Sequence, residues 1–192
     1  MASIYHKYVT DIFSFLEDPA EQVAPRLLGC VLERKINGHI LKARITEVEA
    51  YDQTDAASHS YKGRTQRTDV LFGPAGHLYV YFTYGMHYCC NIVVGTEGFG
   101  AAVLIRAVEP LQGEEIMVEN RGGKSGPELV NGPAKVCQAF GIDKALNGHD
   151  LHKWPLRLIP GERLMDEQIG ISKRIGISKA VDTLWRFYIK ND

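Results

Sequence analysis

The segment from Tyr79 to Asn91 constrains the fold of this chain more strongly than any other feature. Two strand-like runs rich in aromatic residues are separated there by a turn near Gly85. This pattern predicts a β-hairpin, and hence an antiparallel pair of strands. Because side chains alternate between the two faces of a strand, Tyr79 and Tyr81 must share one face. Tyr84 falls at the turn, where a large ring remains in water unless a ligand or partner covers it.

The face that carries Tyr79 and Tyr81 has two interpretations. Strand tyrosines commonly pack into a core. Planar side chains on one strand face also suit stacking against flat rings, and nucleobases are the most common flat rings in biology. The sequence leaves both interpretations open, and the hairpin on its own indicates no reaction.

A second hairpin is predicted at Asn37-Gly38, a residue pair typical of two-residue turns, between strands at 30–36 and 40–51. Further strands are predicted at 101–108, 156–159, 174–177 and 185–189. Helices are predicted at 8–17, at 19–29 with Asp18 as its cap, at 114–119 and at 133–140. We therefore expect an α+β fold, a single compact domain over residues 1–192 with a curved, largely antiparallel sheet, flanking helices and a protruding β-hairpin.

Composition and charge narrow the functional classes. The 192 residues are 45% hydrophobic and 23% charged, as in an ordinary soluble domain. Because no apolar run could cross a bilayer and the N-terminus lacks a secretory pattern, we expect a cytoplasmic protein. A net charge of −1 argues against indiscriminate coating of nucleic acid. Local basic regions, at Lys62, Arg64 and Arg67 and within residues 171–192, could still hold a polyanion.

Metal and cofactor signals are weak throughout the chain. The four cysteines form no Cys-x-x-Cys pair, and His149 and His152 have no further ligands beside them. The run Gly122-Gly123-Lys124-Ser125 ends like a phosphate loop, but Val118 stands where the first glycine of that motif is required. We expect no metal and no cofactor.

Glu49 and Arg106 are charged residues in apolar surroundings. Glu49 lies late in a strand. If its side chain is buried, the carboxylate would suit a general base. If its side chain faces solvent, it is an ordinary surface residue of the strand. Arg106 lies in the apolar run 103–108, where a buried charge requires a partner. Glu49 and Glu109 are both candidates for that partner, and the sequence does not decide between them.

A series of segments in chain order carries a resemblance to a known family. They are Glu47–Tyr51, His59–Ser60, Gly63–Arg67, Leu78–Asn91, Val103–Pro110, Asn131–Lys135, Arg174–Ile177 and Arg186–Tyr188. Together they resemble the alkyladenine (3-methyladenine) DNA glycosylases. This sequence departs from the family pattern at Thr68, where the pattern has Asn, and at Leu71, where it has Met.

The resemblance implies a monofunctional enzyme of base excision repair. Such an enzyme flips a damaged purine out of duplex DNA and hydrolyses its bond to deoxyribose, with 3-methyladenine, hypoxanthine and ethenoadenine as the substrate class. It also implies a bacterial, cytoplasmic monomer that is associated with the nucleoid. Two other functions remain open at this point, a non-catalytic nucleic-acid-binding module and a hydrolase of small nucleosides.

The resemblance assigns the reaction to three residues. Glu49 would activate the attacking water, while Arg106 and the backbone carbonyl of Ile175 would help to position that water. The flipped base would be sandwiched by three aromatic side chains, namely Tyr51, His59 and Tyr81.

The resemblance also assigns contacts around the base. Tyr84 would fill the gap that the flipped base leaves in the duplex, entering from the minor groove. Asn91 would stand at the pocket floor, where its counterpart disfavours the amino group of guanine. Arg64, Arg67 and Lys135 would contact DNA phosphates or order the loops.

Overall fold

The computed structural model, which describes residues 13–83 and 85–190, contains an eight-stranded sheet. Every strand pairing among these residues is antiparallel. The sheet follows the order β3-β4-β5-β2-β1-β6, while β8 pairs with both β2 and β7. The strands are β1 (Val31–Ile36), β2 (His39–Asp52), β3 (Leu78–Thr83), β4 (His87–Val93), β5 (Ala101–Gln112), β6 (Leu156–Ile159), β7 (Ile169–Ser172) and β8 (Arg186–Ile189).

Helices cover one face of this sheet. They are α1 (Ala20–Leu27), α2 (Glu114–Asn120) and α3 (Pro133–Ala139). α1 packs on β2, and α3 packs on β4 and β5. Their apolar residues, such as Val23 and Val136, join strand residues such as Ile105 in one main core. The expected α+β fold with a curved antiparallel sheet is therefore confirmed, and both predicted hairpins are present as β1–β2 and β3–β4.

A bulge in β2 turns Glu49 away from that core. The residue pairs Ile45–Val108 and Glu47–Ala107 are consecutive in the ladder, so Thr46 has no partner on β5. Before Thr46 the odd-numbered residues up to Ile45 face the core, and after it Val48 and Ala50 do. A single extra residue thus exchanges the two faces of the strand. Without it, the Glu49 side chain would point into the apolar core.

A second irregularity lies on β5. The pairs Glu47–Ala107 and Val48–Ile105 leave Arg106 without a partner on β2. Val103 and Ile105 face the main core, whereas Leu104 and Arg106 face the opposite side of the sheet. The two bulges therefore direct Glu49 and Arg106 to the same face.

The predicted strand at 174–177 is wrong. The strand in this region is β7, which ends at Ser172, and residues 174–177 form a loop. Gly176 has a φ of 75°, a left-handed conformation that interrupts a strand. The Arg174 side chain is buried, which ties this loop to the body of the protein.

The predicted start of the first helix also needs correction. Pro19, rather than Asp18, occupies the cap position of α1, and no side chain caps the helix. The carboxylate of Asp18 instead accepts a hydrogen bond from Arg26 in the last turn. Of the helix expected at 8–17, Ser14–Glu17 forms a 3-10 helix after a turn at Phe13, and residues 8–12 lie outside the described part of the chain.

The connection between β2 and β3 is fixed to the sheet at Gly100. Ser60 donates a hydrogen bond to the carbonyl of Gly100 at 2.7 Å, and the Gly100 N–H donates to Gln53 at 3.0 Å. A Cβ at residue 100 would lie 2.7 Å from both the Phe72 ring and the Ser60 Cβ. The absence of a side chain at Gly100 therefore permits the close approach of this loop, which carries His59.

We expect Gly100→Ala to lower the free energy of unfolding by about 1–3 kcal/mol, because the added methyl group overpacks a closed contact. Urea denaturation of the purified protein would measure the change. Gly132→Ala is the matched control, since its Cβ would meet nothing closer than 3.6 Å. Equal losses of stability in the two variants would contradict this account of Gly100.

Candidate active site

A cavity of about 610 Å³ lies on the face of the sheet opposite the main core. Its walls come from β2 to β5, from the connection after β2 and from the loop after β7. Tyr79 and Tyr81 both line it, as the strand alternation predicts. Other lining residues are Tyr51, His59, Cys89, Asn91, Ala102, Leu104, Arg106, Ile175 and Lys179.

Glu49 is completely buried, directly behind three residues that line this cavity, Tyr51, Arg106 and Ile175. Its Oε1 accepts a hydrogen bond from the backbone N–H of Ile175 at 2.7 Å. Its Oε2 accepts one from the Tyr51 hydroxyl at 2.7 Å and lies 3.3 Å from Nη1 of Arg106. The outward-facing alternative for Glu49 is therefore wrong. The three contacts supply donors to both oxygens of a carboxyl group that water does not reach.

Arg106 connects this carboxylate to a second one. Its Nε donates to Glu47 at 3.0 Å, and Arg186 also donates to Glu47 at 2.7 Å. Burial alone would raise the pKa of Glu47, but the two guanidinium groups outweigh burial and lower it. Glu109, the other candidate partner of Arg106, pairs with Arg44 instead.

Tyr51 acts as a neutral hydrogen-bond donor in this arrangement. Burial raises the pKa of the Tyr51 hydroxyl, and the adjacent Glu49 charge raises it further. The phenol therefore stays protonated at neutral pH and donates its hydrogen to Glu49. A tyrosinate at this position would lie beside a carboxylate, with two negative charges in contact.

Three rings form one wall of the cavity. Tyr79 and Tyr81 are stacked with centroids 5.7 Å apart, and His59 meets Tyr81 edge-on at 4.5 Å. The His59 Nδ1 lies 3.1 Å from the Tyr79 hydroxyl. Burial, and next the charge of Arg67, lower the pKa of His59, so the imidazole is neutral at pH 7. This wall is aromatic and uncharged.

Asn91 and Cys89 stand beside one another on the β4 side. The Asn91 side-chain nitrogen donates to the carbonyl of Tyr79 at 3.2 Å, which fixes the orientation of the amide. Burial raises the pKa of Cys89 to about 11, while its hydrogen bond with Tyr81 has a lowering effect. Cys89 is therefore a protonated thiol at neutral pH.

A buried ion pair that no sequence pattern predicts lies next to this site. Two nitrogens of Arg174 contact both carboxylate oxygens of Asp55, and the Nη1 also donates to the carbonyl of Ala50 at 2.9 Å. The guanidinium lies 4.5 Å from the centre of the Tyr51 ring. The residues are more than one hundred positions apart, and no local pattern connects them. Lys173 directly precedes Arg174, so the local sequence gives no sign that the charge of Arg174 is buried.

The residues expected to contact DNA phosphates lie outside the lining of the cavity. Arg64 pairs with Asp69 at 2.6 Å, and Lys135 pairs with Glu128 at 2.5 Å. Arg67 is exposed and close enough to the Tyr79 hydroxyl to lower its pKa, although burial has the larger, raising effect.

Two lysines, one from each of the local basic regions noted in the sequence, do line the cavity. Lys62 and Lys179 are exposed, and within 13–83 and 85–190 neither has an ion-pair partner. Tyr84, the expected duplex-filling residue, lies outside the described residues.

The described ranges 13–83 and 85–190 contain neither a metal-ligand cluster nor a membrane-spanning helix. No group of three or more His, Cys, Asp or Glu side chains there could hold a metal ion. The His149 Nε2 lies 2.8 Å from the carbonyl oxygen of Leu156 instead. None of the helices in these ranges has the length and hydropathy needed to cross a membrane.

Comparison with known proteins places the chain in a family. The sequence model of the family described as "Methylpurine-DNA glycosylase (MPG)" matches residues 14–192. A protein of Carboxydothermus hydrogenoformans named "Putative 3-methyladenine DNA glycosylase" is 53% identical over 171 residues, which cover 88% of this chain and 90% of that protein. A protein of the same name from Methanoculleus marisnigri is 47% identical, over 92% of this chain and 93% of that protein. Another from Streptomyces avermitilis is 44% identical, over 93% of this chain and 86% of that protein. On this similarity, the chain belongs to the methylpurine-DNA glycosylase family.

Proposed function

We propose that this DNA glycosylase is a monofunctional, monomeric repair enzyme that excises alkylated or deaminated purines from duplex DNA in the cytoplasm. Its substrates would be of the 3-methyladenine, hypoxanthine and ethenoadenine class. The observation that carries the proposal is the buried Glu49 carboxylate, whose two oxygens are held by three residues that line an aromatic cavity, Tyr51, Arg106 and Ile175.

Access to a base in a duplex requires extrusion of that base, at a cost of a few kcal/mol. Stacking against aromatic rings offsets that cost by about 1–3 kcal/mol per base. Tyr51 on one side, with His59 and Tyr81 on the other, would enclose the extruded purine. Tyr84 would fill the gap that the purine leaves in the stack, as wedge residues do in minor-groove binders.

The reaction is the attack of water on the C1′ atom of the sugar. The new bond joins the water oxygen to C1′, and the electrons of the old bond leave with the purine. Glu49 would take the proton of the water and stabilise the positive charge that develops on the sugar. Because its two oxygens are already held by three groups, the carboxylate would need little reorganisation.

The chemistry of the leaving group fits the uncharged wall of the cavity. A cationic alkylated purine leaves as a neutral molecule and needs no added proton. Tyr51 and Tyr81 would also attract such a cation through their ring faces. The amide of Asn91, held by the Tyr79 carbonyl, would oppose the amino group of guanine at the pocket floor.

We expect Glu49→Gln to retain lesion binding and to reduce the rate of base release by about 100-fold or more, because an amide cannot accept the proton of the attacking water. Single-turnover assays on a duplex with one hypoxanthine or ethenoadenine, followed by alkaline cleavage, would measure the rate. Glu109→Gln changes an exposed carboxylate on the same sheet and serves as control. Undiminished turnover by Glu49→Gln would remove Glu49 from its role.

The wild-type assay also tests the function itself. A nucleic-acid-binding module would release no base from any lesion duplex, including one with 3-methyladenine. A nucleoside hydrolase would act equally well on the free nucleoside. Either result would exclude the proposed function.

We expect the abasic product to accumulate uncleaved, because direct attack by water leaves no covalent intermediate with the enzyme. Lys62 and Lys179 line the cavity, which makes this a demanding test. Borohydride added during turnover should trap no protein–DNA adduct. A trapped adduct would identify a lysine nucleophile and contradict the monofunctional mechanism.

Lys62 and Lys179 would instead bind phosphates beside the extruded nucleotide. We expect Lys62→Gln and Lys179→Gln each to reduce the slope of log affinity against log salt by about one, since each phosphate contact releases condensed counterions. Fluorescence anisotropy with a lesion duplex would measure the slope. Lys35→Gln, an exposed lysine on β1, is the control, and slopes equal to that of wild type would exclude these contacts.

A further inference from the structure

The ion pair between Arg174 and Asp55 joins two loops around the cavity. Asp55 belongs to the connection after β2, which also carries His59, and Arg174 belongs to the loop after β7. The Asp55 side chain is 3% exposed and the Arg174 side chain is 0% exposed. Nothing in the proposed reaction uses either charge directly, although burial of a charged pair is unfavourable unless its geometry is good.

The contacts of Arg174 converge on the groups that hold Glu49. Its Nη1 donates to the carbonyl of Ala50, the residue that follows Glu49 in β2. Its guanidinium lies against the ring of Tyr51, whose hydroxyl donates to Glu49. Ile175, which follows Arg174 directly, donates its backbone N–H to Glu49. Arg174 therefore contacts Tyr51 and directly precedes Ile175, two of the three residues that hold the Glu49 carboxylate.

The orientation of Arg174 is maintained despite an unsatisfied donor. Its Nε is buried and has no hydrogen-bond partner among the described residues. Such exceptions are few in native proteins. The other guanidinium nitrogens satisfy Asp55 and Ala50 at once, which the single ammonium group of lysine could not do with the same planar geometry.

We propose that Arg174 and Asp55 are a positioning pair that holds the Ile175 N–H and the Tyr51 hydroxyl in the geometry that orients Glu49. The proposal rests on the proposed function, since Glu49 is taken as the base. Loss of the pair displaces Glu49 relative to the sugar while the cavity still accepts the purine. Base release therefore slows and lesion affinity is retained.

The test uses the double variant Asp55→Asn/Arg174→Met, which leaves no unpaired buried charge, together with Arg174→Lys. We expect the double variant to melt close to the wild-type temperature and to bind a lesion duplex with wild-type affinity. Its single-turnover rate should fall by about 100-fold, the scale of a misplacement near 1 Å. Arg174→Lys should fold and bind but recover only part of that rate, because lysine restores the charge without the planar fork.

The matched control is Glu33→Gln/Arg157→Met. That pair also combines a carboxylate with a guanidinium lying over an aromatic ring, Trp154, but joins β1 to β6. Its removal should leave the rate unchanged. A wild-type rate in the folded Asp55/Arg174 double variant, or a parallel loss of rate and affinity, would overturn the proposal.

A second readout does not depend on activity. Amide hydrogen exchange measured by NMR should show faster exchange at Ile175 in the Asp55/Arg174 double variant, because its hydrogen bond to Glu49 is weakened. Unchanged protection of this amide would overturn the positioning role. If the wild-type protein releases no base from any lesion duplex, the proposed function fails, whereas the exchange of the Ile175 amide still decides the positioning role.

Discussion

A buried carboxylate at Glu49 imposes the central constraint on this structure. An isolated charge in an apolar interior is strongly unfavourable, so the chain must supply donors from several directions. They come from β2 itself through Tyr51, from β5 through Arg106, and from the loop after β7 through Ile175. These segments are distant in the sequence, and the need to neutralise one charge requires them to meet.

The two bulges allow a single sheet to serve both as a core wall and as a cavity wall. A regular β2 would direct Glu49 to the same face as Ile45, into contact with aliphatic side chains. The extra residue Thr46 exchanges the faces partway along the strand, and the irregularity at Arg106 does the same on β5. The first half of β2 can therefore retain its apolar alternation, while the second half carries the ionisable groups.

The sequence predicts the secondary structure well where the signals are local. Asn37-Gly38 and the aromatic run around Gly85 identify both hairpins, and Tyr79 and Tyr81 share a face as their spacing requires. The predicted strand at 174–177 fails because Gly176 adopts a left-handed conformation and the Arg174 side chain turns inward to Asp55 and Ala50, while Ile175 remains exposed.

The geometry of the site is harder to predict from the sequence than the secondary structure is. Bulges have no reliable residue signature, so the spacing of β2 alone could not decide the direction of Glu49. The pair between Asp55 and Arg174 depends on a contact between distant loops, which single-sequence patterns do not encode. The family resemblance supplied the candidate residues at the site, and the structure supplied their mutual distances.

The protonated thiol of Cys89 has a consequence for survival of the enzyme among the agents that damage DNA. Chemicals that methylate purines also attack sulfur, but they react with the thiolate rather than the thiol. Cys89 lies in the lining of the cavity, yet burial keeps its pKa near 11 and the Tyr81 hydroxyl is its hydrogen-bond partner. The cavity thus presents a sulfur atom that is a poor nucleophile at neutral pH, and this position of its wall resists alkylation.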